Sequence, residues 1–169
     1  MLGIDYYFPI RVKARETAYD KDVFHPEFYY EPWVMPGRKY NADRGWEIYE
    51  EAVVDIGMRI KEDYDNIPWF ISENGIGIEG EDRYRNKEGY IDDDYRIDFL
   101  KGHLQRALKV RNMGSNCFGY FVWSFVDNLS AINAFKNRYG LLELDLKTGN
   151  RIPKKSLYWF KEIMKDRQV

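Results

Sequence analysis

The sequence predicts an α/β unit built on a parallel sheet. Three observations carry that reading. Three short apolar runs, Leu2 to Phe8, Pro68 to Ile71 and Cys117 to Phe125, are rich in β-branched or aromatic residues and end near turn-formers. Helical periodicity lies between and after them. The runs are continuously apolar rather than alternating, as in parallel strands covered on both faces. Strands that alternate with helices in this way imply βαβ units.

Taken in order, the first run follows Met1 at once. A domain rarely opens in mid-strand, so an upstream segment is expected to be missing. Next, Trp46, Tyr49, Val53, Ile56 and Ile60 recur at spacings of three and four. That predicts a helix from about Gly45 to Tyr64, with Asp43 as its N-cap. After the second strand, Tyr95, Phe99, Leu100, His103, Leu104, Ala107 and Leu108 predict a second helix, closing near Gly114. After the third, Ser156 to Met164 predicts a third, with Leu157, Phe160 and Met164 on one face. The segments after the strands are long: Pro9 to Asn41, Asn74 to Asp93 and Asp127 to Arg138. Those after the helices are short, such as Asp65 to Ile67. In βα barrels the loops at the carboxyl ends of the strands hold the chemistry. With no repeat, linker or low-complexity tract, residues 1–169 read as one structural unit. The basic tail (Lys154, Lys155, Lys161, Lys165, Arg167) is interspersed with Glu162 and Asp166 and reads as a solvated helix face.

Composition narrows the function classes. The 169 residues are 44% hydrophobic and 32% charged, a globular balance with enough chain for a real core. Aromatics reach 17%, which serves a packed core and also sugar recognition. A net charge of -2 offers no basic field for nucleic acid or an anionic membrane. The single cysteine excludes an internal disulfide, and Cys117, inside an apolar run, reads as a buried thiol. His25 and His103 show no ligand spacing with each other or with Cys117, so neither metal nor cofactor is predicted. No signal peptide or long apolar span is present, and a cytoplasmic location is expected.

Ile71-Ser72-Glu73-Asn74-Gly75 places a carboxylate where an apolar strand meets a glycine turn. A charge there is costly unless it is paired or useful. Spacing alone leaves two alternatives open, a catalytic carboxylate and a strand-end Glu that accepts backbone hydrogen bonds. Gly75-Ile76-Gly77-Ile78-Glu79-Gly80 echoes a dinucleotide fingerprint but lacks its final spacing, and is discarded.

Phe70-Ile71-Ser72-Glu73-Asn74-Gly75 resembles the nucleophile motif of the family 1 glycoside hydrolases, at the end of the seventh strand of a (β/α)8 TIM barrel. Leu2-Gly3-Ile4-Asp5-Tyr6-Tyr7 resembles the sixth strand, and Gly119-Tyr120-Phe121-Val122-Trp123-Ser124 the eighth. Arg138-Tyr139-Gly140-Leu141, then Asp145, resembles the segment after the substrate loop. The resemblance therefore implies the carboxyl-terminal part of such a barrel, about strands 6 to 8 with their helices, without the amino-terminal strands. It also implies a retaining β-glycosidase with Glu73 as nucleophile. Tyr7 matches the tyrosine whose hydroxyl holds that carboxylate and helps keep it ionised; a packed strand aromatic is its alternative. The acid/base motif, Asn-Glu-Pro, is absent. The chain alone is expected to lack normal hydrolytic activity.

The resemblance extends to substrate. Trp123 matches the tryptophan on which the sugar packs, with a buried strand tryptophan as the alternative. Seven residues on, Ser130 and Ala131 stand where enzymes for unphosphorylated glucosides carry Glu and Trp. Glu would repel a phosphate, whereas the Ser130 hydroxyl can donate to one. Ser130, Lys136 and Tyr139 resemble the phosphate-binding set of the 6-phospho-β-glucosidases and 6-phospho-β-galactosidases. Asn137 occupies the usual lysine position, and Lys136, one residue earlier, is long enough to reach. Asp5 stands where Asn is usual. Trp33 is expected on the aglycone side or packed within its loop. The implied substrate is a small phosphorylated β-glycoside. Two alternatives remain, a β-glucosidase for unphosphorylated glucosides and a non-catalytic sugar-phosphate binder with little use for Glu73 and Tyr7. Open sheet edges imply a partner, either an amino-terminal half or another copy.

Overall fold

The computed structural model describes residues 1–16, 25–166 and 169. Arg167 of the basic tail, and residues 17–24 of the first long loop, lie outside the described residues. Three parallel strands form the central sheet: β1 (Leu2–Asp5), β2 (Trp69–Asn74) and β3 (Cys117–Val122). They pair in chain order, with Leu2 opposite Trp69 and Trp69 opposite Cys117. A helix follows each strand: α1 (Ala52–Asp63), α2 (Asp94–Asn112) and α3 (Lys155–Asp166). This is the arrangement expected of an arc of a βα barrel.

Ladder irregularities set the ends of the strands. The register shifts between Ile4 and Asp5 and again between Ile71 and Asn74. So β1 and β3 stop short of Phe8 and Phe125, while β2 runs on past Ile71 to Asn74. Bulges of this kind re-aim side chains at strand ends.

The first helix begins at Ala52, not at Gly45. Trp46–Glu47 pairs with Tyr40–Asn41 in a short antiparallel ladder. The Trp46 ring stacks on Phe8 with centroids 4.4 Å apart, and buried Glu47 accepts two hydrogen bonds from Arg11. Tertiary partners thus hold Trp46 and Glu47, and their helical spacing misleads. Asp43 caps nothing. Its carboxylate accepts from Arg83 at 2.7 Å and from the Glu79 amide. Within α1, Val53, Gly57 and Ile60 form one buried face. A Cβ on Gly57 would stand 2.6 Å from the Trp69 ring, so only glycine admits that indole.

The helices cover one face of the sheet. Tyr6, Val53, Ile60, Trp69, Ile71 and Val110 make the core there. The Trp69 indole N–H donates to Ser115 Oγ at 2.9 Å, satisfying the polar atom of a fully buried ring. A second cluster, around Ile76, Phe99, Leu100 and Leu141, seats Leu157 and Phe160 of α3. The continuous apolar pattern predicted cover on both faces, but the described residues cover one. On the other, Phe70 contacts Phe118 and Phe121, with centroids 5.2 and 5.6 Å away. Both of those partner rings are exposed. The outer edges of β1 and β3 have no strand partner among the described residues.

Charged side chains tie the strand-end loops together. Arg96 donates to the Ile76 carbonyl at 2.7 Å, the Tyr139 carbonyl at 3.0 Å and Asp93 at 2.8 Å, and also pairs with Glu81. Lys154 joins Glu81 at 2.6 Å and Asp127 at 3.0 Å. Lys154 is therefore not part of a solvated face but is fully buried. It precedes α3, and two carboxylates hold it inward. Burial, with the Arg96 charge adding to it, lowers its pKa against the pull of Glu81 and Asp127. No described helix is long and apolar enough to cross a membrane.

Candidate active site

Glu73 lies at the carboxyl end of β2, within the ladder irregularity. Its backbone carbonyl accepts from the Tyr6 amide at 2.9 Å, which fixes β1 beside it. Tyr7, the residue after that, donates its hydroxyl to Glu73 Oε2 at 2.8 Å. Burial, then the Glu73 hydrogen bond and charge, push the Tyr7 hydroxyl far above the usual tyrosine range. Tyr7 is thus a permanent donor.

Asn74 explains why an amide follows the carboxylate. It is fully buried, donates to the Tyr6 carbonyl at 2.6 Å and accepts from the Tyr120 hydroxyl. Its own carbonyl accepts from the Trp123 amide at 2.8 Å. One side chain and its backbone therefore join all three strand ends. Gly75 meets a steric demand, since a Cβ there would lie 1.8 Å from the Trp123 carbonyl oxygen. Asn74 and Gly75 thus serve as tie and clearance beside the Glu73 carboxylate. The Trp123–Ser124 peptide is cis.

A cleft of about 310 Å³ opens over Glu73. Tyr7, Trp123, Ser130 and Tyr139, the residues the resemblance singles out, line it together with Arg44, Trp46 and Ala131. Ser130 is held in a tight loop, its amide and carbonyl exchanging hydrogen bonds with those of Ala134. The Tyr139 hydroxyl is raised in pKa by burial, with the Arg44 and Arg96 charges opposing that rise. Lys136 and Trp33 do not line this cleft. Lys136 pairs with Glu79 at 3.2 Å and is largely solvent-exposed. Trp33 lies partly exposed in the first long loop, its amide bonded to the Arg11 carbonyl. Asp5 accepts from the Ser72 hydroxyl at 2.7 Å, as a strand polar group would.

Arg44 was not legible as a site residue. It stands between Asp43 and the predicted start of the helix at Gly45, and nothing in its local pattern marks it. Its guanidinium lies 4.1 Å above the Trp46 ring and donates to Asn137 Oδ1 at 3.1 Å. Glu73 is the one carboxylate among the described residues lining the cleft.

The family model of glycosyl hydrolase family 1 matches residues 1–169. The chain is 53% identical to 6-phospho-beta-glucosidase GmuD of Bacillus subtilis over 165 residues, 96% of this chain and 36% of that protein. It is 43% identical to a 6-phospho-beta-galactosidase of Clostridium acetobutylicum over 129 residues, 76% of this chain and 26% of that one. Among solved structures it superposes on the beta-glucosidase of Thermotoga maritima in complex with castanospermine, with a TM-score of 0.82 and 31% identity. That match covers 99% of this chain and 34% of the other. The chain thus spans about a third of the length of the relatives it matches. The strand-end Glu73 with its tyrosine donor and the match along the whole chain agree, and the chain belongs to glycosyl hydrolase family 1.

Proposed function

We propose that this chain is the nucleophile-bearing part of a retaining β-glycosidase acting on 6-phospho-β-glycosides, corresponding to strands six to eight of the barrel. One observation carries the reading most directly. Glu73, held by Tyr7 at 2.8 Å, lies in a cleft shared with Trp123, Ser130 and Tyr139.

Glu73 Oε1 attacks the anomeric carbon as the bond from that carbon to the aglycone oxygen breaks. The leaving oxygen takes a proton from a second carboxyl group, and a glycosyl-enzyme ester forms on Glu73. Water then attacks the same carbon, giving its proton to the second carboxylate, and Glu73 leaves as a free carboxylate. Retaining enzymes set the two carboxyl groups roughly 5–5.5 Å apart. Among the described residues no second carboxylate lines the cleft. The Asn-Glu-Pro motif is also absent from the sequence, and on this reading the acid/base comes from outside this chain and the chain alone is inactive. An amino-terminal barrel portion is its natural complement. The exposed Phe118 and Phe121 and the edges of β1 and β3, unpaired among the described residues, support that reading.

Substrate class follows from Ser130 and Ala131 at the site, from Tyr139, and from 53% identity to a 6-phospho-beta-glucosidase. The test is chromophore release from a 6-phospho-β-glucoside and the plain glucoside. It uses the chain alone and the chain mixed with a family 1 amino-terminal portion, with Glu73→Ala as control. The mixture should turn over the phosphorylated substrate only, and lose this in the control. Turnover by the chain alone would overturn the missing acid/base, and a preference for the plain glucoside would overturn the substrate class.

A further inference from the structure

We infer that Arg44, rather than Lys136, is the cation that selects a phosphorylated sugar in this cleft; this rests on the phospho-glycoside reading above. Four observations lead to it. Arg44 lines the cleft beside Ser130 and Tyr139, whereas Lys136 pairs with Glu79 away from it. Among the described residues no carboxylate forms an ion pair with Arg44, whose partners are Asn137 and the Trp46 ring. Its Nε is buried without a hydrogen-bond partner. Its plane is fixed by the Trp46 ring beneath and by Asn137, whose carbonyl oxygen takes one N–H.

Such a guanidinium is preorganised for an oxyanion. Stacking on Trp46 desolvates one face, and the remaining donors keep the planar fork that matches two phosphate oxygens. Asn137, at the position where a lysine was expected, serves instead to aim the arginine. That accounts for Lys136 being free to turn toward Glu79. Ser130 and Tyr139 then add hydroxyl donors on the cleft wall, and Trp123 a ring for the sugar. Phosphate specificity in this chain is thus carried from the loop after β1 as well as from the loop after β3.

The test measures binding of glucose 6-phosphate, glucose and inorganic phosphate to the whole chain by ligand-observed proton and phosphorus NMR. The unaltered chain should prefer glucose 6-phosphate to glucose. Arg44→Met should cut glucose 6-phosphate affinity roughly tenfold or more, the loss expected of a charge-assisted pair. The loss for glucose should be smaller, so that the preference for glucose 6-phosphate over glucose falls. Lys136→Met should alter neither by more than about threefold, as for an exposed pair. Arg44→Lys, which keeps the charge and loses the fork, should fall between, and serves if Arg44→Met does not fold. A preference for glucose 6-phosphate that survives both Arg44 variants overturns the assignment and leaves the phospho-glycoside reading standing. An equal loss in Lys136→Met overturns it too. A chain that binds glucose 6-phosphate no better than glucose, or not at all, overturns both.

Discussion

Lowering the pH from 7 to 4.5 presses a proton onto His103, and the surroundings of this side chain set the cost. His103 is fully buried on α2, its ring 4.1 Å from that of Phe99 and 5.9 Å from that of Tyr6. Nδ1 lies 2.7 Å from the Phe99 carbonyl, so it is the nitrogen that carries the proton. Nε2 is buried without a partner, so a second proton would create a charge that nothing accepts. Burial lowers the pKa from 6.5 to about 4, against smaller opposing pulls from the Phe99 carbonyl and Glu50. Above pH 6.5 both folded and unfolded chains hold a neutral imidazole, and the group adds no pH dependence. Below it the unfolded chain takes up a proton that the native state refuses. The native state loses relative stability until pH falls through about 4. At pH 4.5 the native state is already partly protonated, so the loss is about 1.9 pH units times 1.36 kcal/mol, or about 2.5 kcal/mol. Urea unfolding at pH 7 and pH 4.5 reads this directly, with His103→Leu as reference. The same carboxylates are present in both proteins, and among them Glu50 interacts with His103. The unaltered chain should therefore lose about 2.5 kcal/mol more than the variant between the two pH values. Equal losses would refute the argument from burial.

Three other perturbations have definite outcomes. Trp69→Ala removes the largest fully buried ring and strands the pocket left beside Gly57, and thermal or urea unfolding should show a loss of about 3–5 kcal/mol. Lys154→Met leaves Glu81 and Asp127 buried beside each other without their shared cation; the same assay should show a loss of about 3–5 kcal/mol. Tyr7→Phe removes the donor at 2.8 Å from Glu73, and kcat/KM of the complemented enzyme should fall about 10- to 100-fold with its fold intact by circular dichroism.

Much of the fold was legible because its strands and two of its helices announce themselves locally. Continuous apolar runs gave β1, β2 and β3, and the faces around Phe99 and Leu157 gave α2 and α3. The start of α1 misled, since Trp46 and Tyr49 have helical spacing yet meet Phe8 and the Tyr6 hydroxyl. Lys154 misled for the same reason: charge in a sequence does not reveal the buried carboxylates that will hold it. Of the site, the Glu-Asn-Gly motif and Tyr7 could be read because resemblance marks them. Arg44 could not, because its role comes from a distant Asn137 and a ring two residues away. Lys136 was drawn to the site by its nearness to Tyr139 in sequence, whereas space gives it Glu79.

The central claim is that Glu73 forms the glycosyl-enzyme. A 2-deoxy-2-fluoro-β-glucosyl fluoride bearing a 6-phosphate tests it most directly, because fluoride leaves without a proton and labelling therefore does not depend on the acid/base. After incubation with the chain and an amino-terminal portion, peptide mass spectrometry should find the fluorosugar phosphate esterified to Glu73. A label on any other carboxylate, or none, would contradict the account.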